Sequence, residues 1–363
     1  MRSLPRLLDA IAGPDPAAGA VAQRHLDQLA KPPGSLGRLE EVAVALAALT
    51  GGPPHVDHPV VFVLGADHGV TAEGVSAYPQ VVTAQMLENF LRGGAAINVL
   101  ARQVGARVVV ADFGVATPGP VVAGLVDRRL GLGTANFARG PAMSREQATA
   151  GIEAGVGLVE AAAADGADLV VTGEMGIGNT TAASAITAVF TGAEPEAVTG
   201  RGTGVDEAGW RRKVEVVRRA IALNRPEPSD PVDVLAKVGG FEIAGLVGIV
   251  LAGAARRLPV VLDGFIAGAA ALVAVALAPA TRHALFAAHR SAEPGHLLML
   301  QHLGLRPYLD LSLRLGEGTG GALFVSLARA AAALYAEMAT FKSAGVSSSE
   351  GASTAKPALG GPR

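Results

Sequence analysis

The chain has 363 residues, half of them apolar, and a net charge of −2, a length that suits about two domains around a large core. It contains no cysteine, which excludes disulfides, thiolate nucleophiles and zinc–thiolate centres and leaves the redox compartment open. Lys and Arg are scattered, with no basic stripe interleaved with aromatics, so nucleic acid is not expected as a partner.

Residues Met1 to Arg6 carry no long apolar stretch, so a signal peptide is not expected and a cytoplasmic location is. Helical periodicity predicts helices over 17–29 and 36–49 before any strand. Val60-Val61-Phe62-Val63-Leu64 then reads as a strand running into Gly65-Ala66-Asp67-His68-Gly69. A helix over 83–103 leads to Val108-Val109-Val110 and Asp112-Phe113-Gly114. A helix over 145–164 leads to Leu169-Val170-Val171 and Thr172-Gly173-Glu174. Helices over 180–190, 207–223 and 241–255 precede Val260-Val261-Leu262 and Asp263-Gly264. The stretch 264–280 is the most membrane-like, but it falls short of the roughly 20 residues a span requires and reads as a buried helix. A fifth candidate strand, Ala284-Leu285-Phe286-Ala287, runs into His289-Arg290-Ser291, and helices follow over 296–303 and 321–341.

Continuous apolar strands, rather than alternating ones, are buried on both faces. The expected fold is therefore α/β and Rossmann-like: a parallel sheet covered by helices on both faces, with a smaller helical domain formed from both chain ends. The expected boundaries are 59–295 for the sheet domain and 1–58 with 296–342 for the helical one. The Ser-, Gly- and Pro-rich segment 343–363 reads as a disordered tail.

Two glycine-framed glutamates stand out, in Gly173-Glu174-Met175-Gly176-Ile177-Gly178-Asn179-Thr180-Thr181 and in Gly316-Glu317-Gly318-Thr319-Gly320-Gly321. Glycines admit a ligand close to the backbone, and free N–H groups at a helix start bind anions. A carboxylate repels phosphate, so in such a loop it handles a proton or a cationic group. Glu317 falls at or just before a helix start, where the dipole favours its ionised form and an apolar pocket opposes it; a helix-capping acid is the alternative reading. The Glu174 loop resembles a phosphate cradle but lacks the Gly-Lys-Ser/Thr ending of a nucleotide-binding loop; a tight strand–helix turn is its alternative.

Gly200-Arg201-Gly202-Thr203-Gly204 is a second loop able to touch phosphate, and Lys213, in the helix after it, reads on its own as a solvated surface lysine. Asp67, His68, Asp112, Asp263, His289 and His296 are possible hard ligands, but none shows the local spacing of a zinc site, and no metal or cofactor is expected. Ser76, Tyr78, Gln85 and Met86 supply the flat, pliable and amide contacts suited to a planar heteroaromatic ligand, or else form an ordinary loop and a core-facing helix start.

Together these motifs resemble one family, the nicotinate-nucleotide–dimethylbenzimidazole phosphoribosyltransferases of cobalamin lower-ligand synthesis. The resemblance rests on the two glutamate loops, Lys31-Pro32-Pro33-Gly34-Ser35-Leu36-Gly37, Gly65-Ala66-Asp67-His68-Gly69-Val70, Val75-Ser76-Ala77-Tyr78-Pro79-Gln80, Gly239-Gly240-Phe241-Glu242-Ile243-Ala244-Gly245, Asp263-Gly264-Phe265 and His289-Arg290-Ser291. It implies transfer of the 5-phosphoribosyl group of nicotinate mononucleotide to 5,6-dimethylbenzimidazole, with inversion, giving α-ribazole 5′-phosphate and nicotinate. By the same resemblance, Glu317 is the general base and Glu174 an organising active-site residue. Gly176, Gly178, Asn179, Thr180, Gly202, Lys213 and Ser291 are implied for ribose and phosphate, and Ser76, Tyr78, Gln85 and Leu315 for the benzimidazole. A homodimer is implied too. Two other readings of the residues stay open: a metal-dependent phosphohydrolase built on Asp67, His68 and Asp263, and a non-catalytic nucleotide-binding protein.

Overall fold

Val60 to Leu64 are buried without a break, and the whole of β1 (Pro59–Ala66) is buried at every position, so both of its faces are covered. The computed structural model describes residues 4–117 and 123–347. Beside β1 the sheet contains β2 (Arg107–Gly114), β3 (Val126–Asp127), β4 (Leu169–Met175), β5 (Val260–Leu262) and β6 (Leu285–Ala287), all parallel, in the order β3-β2-β1-β4-β5-β6. The order reverses direction between β1 and β4, and in open parallel sheets ligands bind beyond the strands' carboxyl ends at such a point. β3 was not foreseen, because a two-residue edge strand leaves no apolar run.

The helices are α1 (Leu4–Asp9), α2 (Pro16–Gln28), α3 (Arg38–Thr50), α4 (Val82–Arg92), α5 (Ala96–Gln103), α6 (Arg145–Ala164), α7 (Asn179–Thr191) and α8 (Pro195–Val198). They continue with α9 (Glu207–Asn224), α10 (Pro231–Val238), α11 (Phe241–Ala255), α12 (Phe265–Leu277), α13 (Pro294–Leu303), α14 (Thr319–Glu337) and α15 (Phe341–Ala344). α6 and α11 pack with their backbones nearly touching: a Cβ at Gly155 would strike the Gly245 carbonyl, and one at Gly248 the Ile152 carbonyl. α12 is the apolar stretch within 264–280; it has 13 residues and is buried from Phe265 to Ala274. α14, with 19 residues, is long and apolar enough to cross a membrane by length and composition, yet Ala322, Phe324, Val325, Ala328 and Ala331 on it are buried in the protein.

The helix expected over 83–103 is two helices. Gly93 takes a left-handed conformation (φ 78°) and ends α4. Asn98 restarts the chain as α5, its side chain accepting the Ala95 N–H at 3.1 Å and donating to the Phe90 carbonyl at 3.0 Å. The break therefore presents a second helix N-terminus, with the N–H of Ile97 in its first turn.

Contacts divide the chain into two compact units. One contains the sheet and comprises residues up to 13 and 56–326; the other comprises 14–55 and the residues from 327 on. In the second, α2 packs on α3, the Ala30 N–H donates to the Ala339 carbonyl at 2.8 Å, and the His25 ring packs at a tilt on Tyr335 with ring centroids 4.5 Å apart. Within this unit Lys31 and Glu40 form a buried ion pair at 2.8 Å. The expected boundary at 296 differs from this division, because α13 packs on α12, α7 and α8 and so belongs with the sheet. Of the expected disordered tail 343–363, residues 343 and 344 lie in α15, and 348–363 lie outside the described residues.

Candidate active site

The carboxyl ends of β4, β5 and β6 and the loop before α14 line a cavity of about 420 Å³. Tyr78, Val82, Met86, Ile177, Phe265 and Leu315 form its apolar lining, and Asn179, Thr180, Gly202, Ser291, Glu293 and Arg314 its polar lining. Glu174 and Glu317 both line it.

Glu317 is one of few non-glycine residues with positive φ (64°), and it stands between Gly316 (84°) and Gly318 (92°). A non-glycine residue in this region is strained, and such strain clusters at functional sites. Glu317 does not cap its own helix. That role falls to Asp263 at the end of β5, which accepts the Gly318 N–H at 3.0 Å and the Gly321 N–H at 3.1 Å. The Glu317 carboxylate instead reaches the first turn of α5, where Oε2 accepts the Ile97 N–H at 3.4 Å. Burial pushes its carboxyl above the ordinary value and Asp263 adds to the rise, against the lowering effect of the Ile97 N–H.

Glu174 sits one step before the end of β4, in register with Leu64 of β1. Its Oε2 accepts from Asn179 Nδ2 at 2.5 Å. Burial lifts its carboxyl to about 8; Asn179 opposes this, and Asp263, Glu242 and Glu317 add to it. Glu174 is thus protonated at neutral pH, whereas the Ile97 N–H favours the ionised form of Glu317. Above pH 4.5 the unfolded chain gives up the Glu174 proton while the folded chain keeps it, so stability falls from there up to about pH 8. Glu174→Gln stays neutral throughout and is expected to gain on the wild type by about 2–5 kcal/mol across that window. Thermal unfolding at pH 5 and pH 8.5 checks this; a difference in Tm independent of pH would contradict it.

Lys213 is fully buried rather than at the surface. Its Nζ donates to Thr180 Oγ1 at 2.6 Å; burial lowers its ammonium to about 8, against the raising effect of Glu293. A Cβ at Gly202 would come within 2.8 Å of both Lys213 Nζ and Thr180 Oγ1, so a side chain there would collide with the pair. The Gly202 N–H is already donated to Glu293 Oε1 at 3.0 Å. Ser291 is held by its own N–H, which donates to His296 Nδ1 at 2.9 Å. Burial, with His289 adding, lowers His296 to about 3, so this imidazole is a neutral acceptor.

Of the residues singled out in the sequence, Glu174, Glu317, Gly176, Asn179, Thr180, Gly202, Ser291, Tyr78 and Leu315 line the cavity. Lys213 stands behind Thr180. Gly178 is the N-cap of α7 and packs on Thr71 and His68 rather than lining the cavity. Ser76 does not line it either; its hydroxyl lies 3.3 Å from that of Thr203, which does. Gln85 is exposed on α4 and does not reach it. The possible hard ligands are dispersed among other partners. His68 pairs with Glu242 at 2.7 Å, and Asp112 accepts the Gly114 and Val115 N–H groups at 2.9 and 2.8 Å. Among the described residues no three His, Cys, Asp or Glu side chains gather as for a metal ion. Glu293, Arg314 and Phe265 were missed as cavity residues: Glu293 and Arg314 are far in sequence from the Gly202 loop they meet, and Phe265 stood only as part of the Asp263-Gly264-Phe265 motif.

A family profile described as "Phosphoribosyltransferase" matches residues 11–346. The nicotinate-nucleotide–dimethylbenzimidazole phosphoribosyltransferase of Desulforudis audaxviator is 56% identical over 348 residues, covering 96% of this chain and 99% of that protein. The enzyme of the same name from Geobacter sulfurreducens is 55% identical over 347 residues, covering 95% and 99%. A crystal structure of the Thermus thermophilus enzyme superposes with a TM-score of 0.87 at 52% identity, covering 92% of this chain and 99% of that one. Agreement at this level over nearly the whole length means that the chain belongs to the nicotinate-nucleotide–dimethylbenzimidazole phosphoribosyltransferase family.

Proposed function

We propose that this chain transfers the 5-phosphoribosyl group of nicotinate mononucleotide to 5,6-dimethylbenzimidazole, forming α-ribazole 5′-phosphate and nicotinate. The observation that carries this reading is Glu317, a strained carboxylate that is released from capping and lines one cavity with an apolar aromatic lining and a polar one. In the donor, the bond from the anomeric carbon to the pyridinium nitrogen breaks and its electron pair neutralises that nitrogen, so nicotinate is a good leaving group. One benzimidazole nitrogen attacks the anomeric carbon from the opposite side, which inverts it. The other nitrogen gives its proton to Glu317. The flat acceptor suits Tyr78, Met86, Phe265 and Leu315. The ribose phosphate suits Asn179, Thr180 and Ser291, with the Lys213 ammonium behind Thr180.

The test is to incubate the purified protein with both substrates and follow nicotinate and α-ribazole phosphate by chromatography. Equal amounts of both support the transferase; binding of the nucleotide without product favours a binding protein. The pH profile is a second measurement. The rate is expected to rise as Glu317 ionises, at a pH above the ordinary carboxylate range. Above about pH 8, Lys213 loses its charge and Glu174 gains one, so the KM for the nucleotide is expected to climb. A KM that stays flat to pH 9.5 would remove Lys213 from the phosphate site.

A further inference from the structure

The cavity is lined by three carboxyl groups, Glu174, Glu293 and Glu317, of which burial keeps Glu174 protonated at neutral pH, and among the described residues Arg314 is the one Lys or Arg side chain on it. A phosphate monoester brings nearly two more negative charges, and the buried Lys213 supplies one positive charge from behind Thr180. The neighbouring arginines are already committed: Arg201 holds Glu207 at 2.7 Å, and Arg290 faces Asp310 at 3.5 Å. Arg314 has no ion pair among the described residues; its one hydrogen bond is a long one, from NH1 to the Gly202 carbonyl at 3.4 Å. Its side chain is exposed and lines both the cavity and an adjoining recess that also shares Gly202 and Glu293. The Gly202 loop thus has an unpaired guanidinium against its carbonyl and the Lys213 ammonium close to its α-carbon.

We propose that Arg314 closes onto the phosphate of the nucleotide substrate, giving up the Gly202 carbonyl for a charge-assisted pair. The inference rests on the transferase reading above and deepens it. It also couples binding to chemistry. Arg314 lies three residues before Glu317, on a segment where Ser312 (φ 55°), Gly316 (84°), Glu317 (64°) and Gly318 (92°) all take left-handed conformations. Two residues separate Arg314 from Glu317, so an anchor on Arg314 restricts the chain that carries Glu317. Phosphate held by Arg314 therefore fixes the loop of the proposed base, and a group remote from the reacting atoms assists the chemical step.

The test compares Arg314→Gln with wild type on three donors: nicotinate mononucleotide, nicotinate riboside, which lacks the phosphate, and nicotinamide mononucleotide, which lacks the carboxylate. Losing a hydrogen bond to a charged group predicts a fall in kcat/KM of about 10- to 100-fold with nicotinate mononucleotide, shared between kcat and KM. The same fall is expected with nicotinamide mononucleotide and none with the riboside, and Arg314→Lys recovers part of the loss. A fall that persists with the riboside and vanishes with nicotinamide mononucleotide would give Arg314 to the carboxylate and overturn the proposal. An equal fall with all three donors would make Arg314 a structural support and overturn it as well. Calorimetric binding of nicotinate mononucleotide and of the riboside to both proteins, without acceptor, applies the same comparison if the wild type makes no product, so failure of the transferase reading is seen separately from failure of the Arg314 assignment.

Discussion

Glu317→Gln is expected to lower kcat by about 10²- to 10⁴-fold, the range in which a positioned proton acceptor contributes, while the KM for nicotinate mononucleotide changes little. Glutamine keeps the shape and can still accept the Ile97 N–H through its oxygen, so the loop is retained and only basicity is lost. The acid limb of the pH profile, assigned to Glu317, is expected to disappear with it. Steady-state kinetics between pH 5 and pH 9 tests both statements. Near-normal turnover with 5,6-dimethylbenzimidazole would remove Glu317 from the proton transfer and direct attention to Glu174 and Glu293, the other carboxyls on the cavity. The expected asymmetry between the two acids comes from their surroundings: Glu174 is held neutral at pH 7 by burial among Asp263, Glu242 and Glu317, whereas Glu317 has a helix N-terminus to stabilise its charge.

The sheet was legible because Val60 to Leu64 and Leu169 to Val171 are short continuous apolar runs ending in glycine or acidic loops, the pattern of a strand covered on both faces. The glycine framing of Glu174 and Glu317 was legible for a related reason, since close approach and left-handed backbone need glycine. What was not legible depended on contacts between distant residues. Asp263 reads as one more possible ligand in sequence, yet it is the cap that frees Glu317 from that role. Lys213 has the sequence surroundings of a surface lysine, and its burial is set by packing of α9 that no local pattern records. Glu293 and Arg314 join the site only when the loops before α13 and α14 are brought to Gly202. The single helix expected over 83–103 concealed the break at Gly93, and with it the N–H that Glu317 uses.

Asp263→Asn is expected to damage both the loop and the chemistry, by a route that kinetics can separate from Glu317 itself. Both Asp263 oxygens accept backbone N–H groups, from Gly318 and Gly321, and an amide side chain can accept at only one of them. Its own N–H and the Thr172 hydroxyl tie the residue to the sheet: Asp263 N donates to Thr172 Oγ1 at 3.2 Å, and that hydroxyl donates to the Val261 carbonyl at 3.1 Å. The main chain at this position therefore cannot shift to relieve the mismatch. A buried N–H left facing a donor costs about 1–3 kcal/mol, offset in part by removing a buried charge, so a Tm lower by a few degrees is expected from calorimetry. Gly318 adjoins Glu317, and a misplacement of the order of 1 Å at a reacting group costs about 100-fold in rate; kcat is expected to fall by about that much or somewhat less. The pH dependence identifies the cause. Burial raises the Asp263 carboxyl itself, and His289 with the Gly321 and Gly318 N–H groups opposes that rise. In its ionised form Asp263 raises the Glu317 carboxyl, so removing it lowers that pKa and moves the acid limb of the rate to lower pH, even as the maximum rate drops. A limb that stays in place would mean either that Glu317 is not the group it reports or that Asp263 carries no charge in the folded protein; a limb that moves down ties the strained loop, its buried cap and the proposed base into one electrostatic unit.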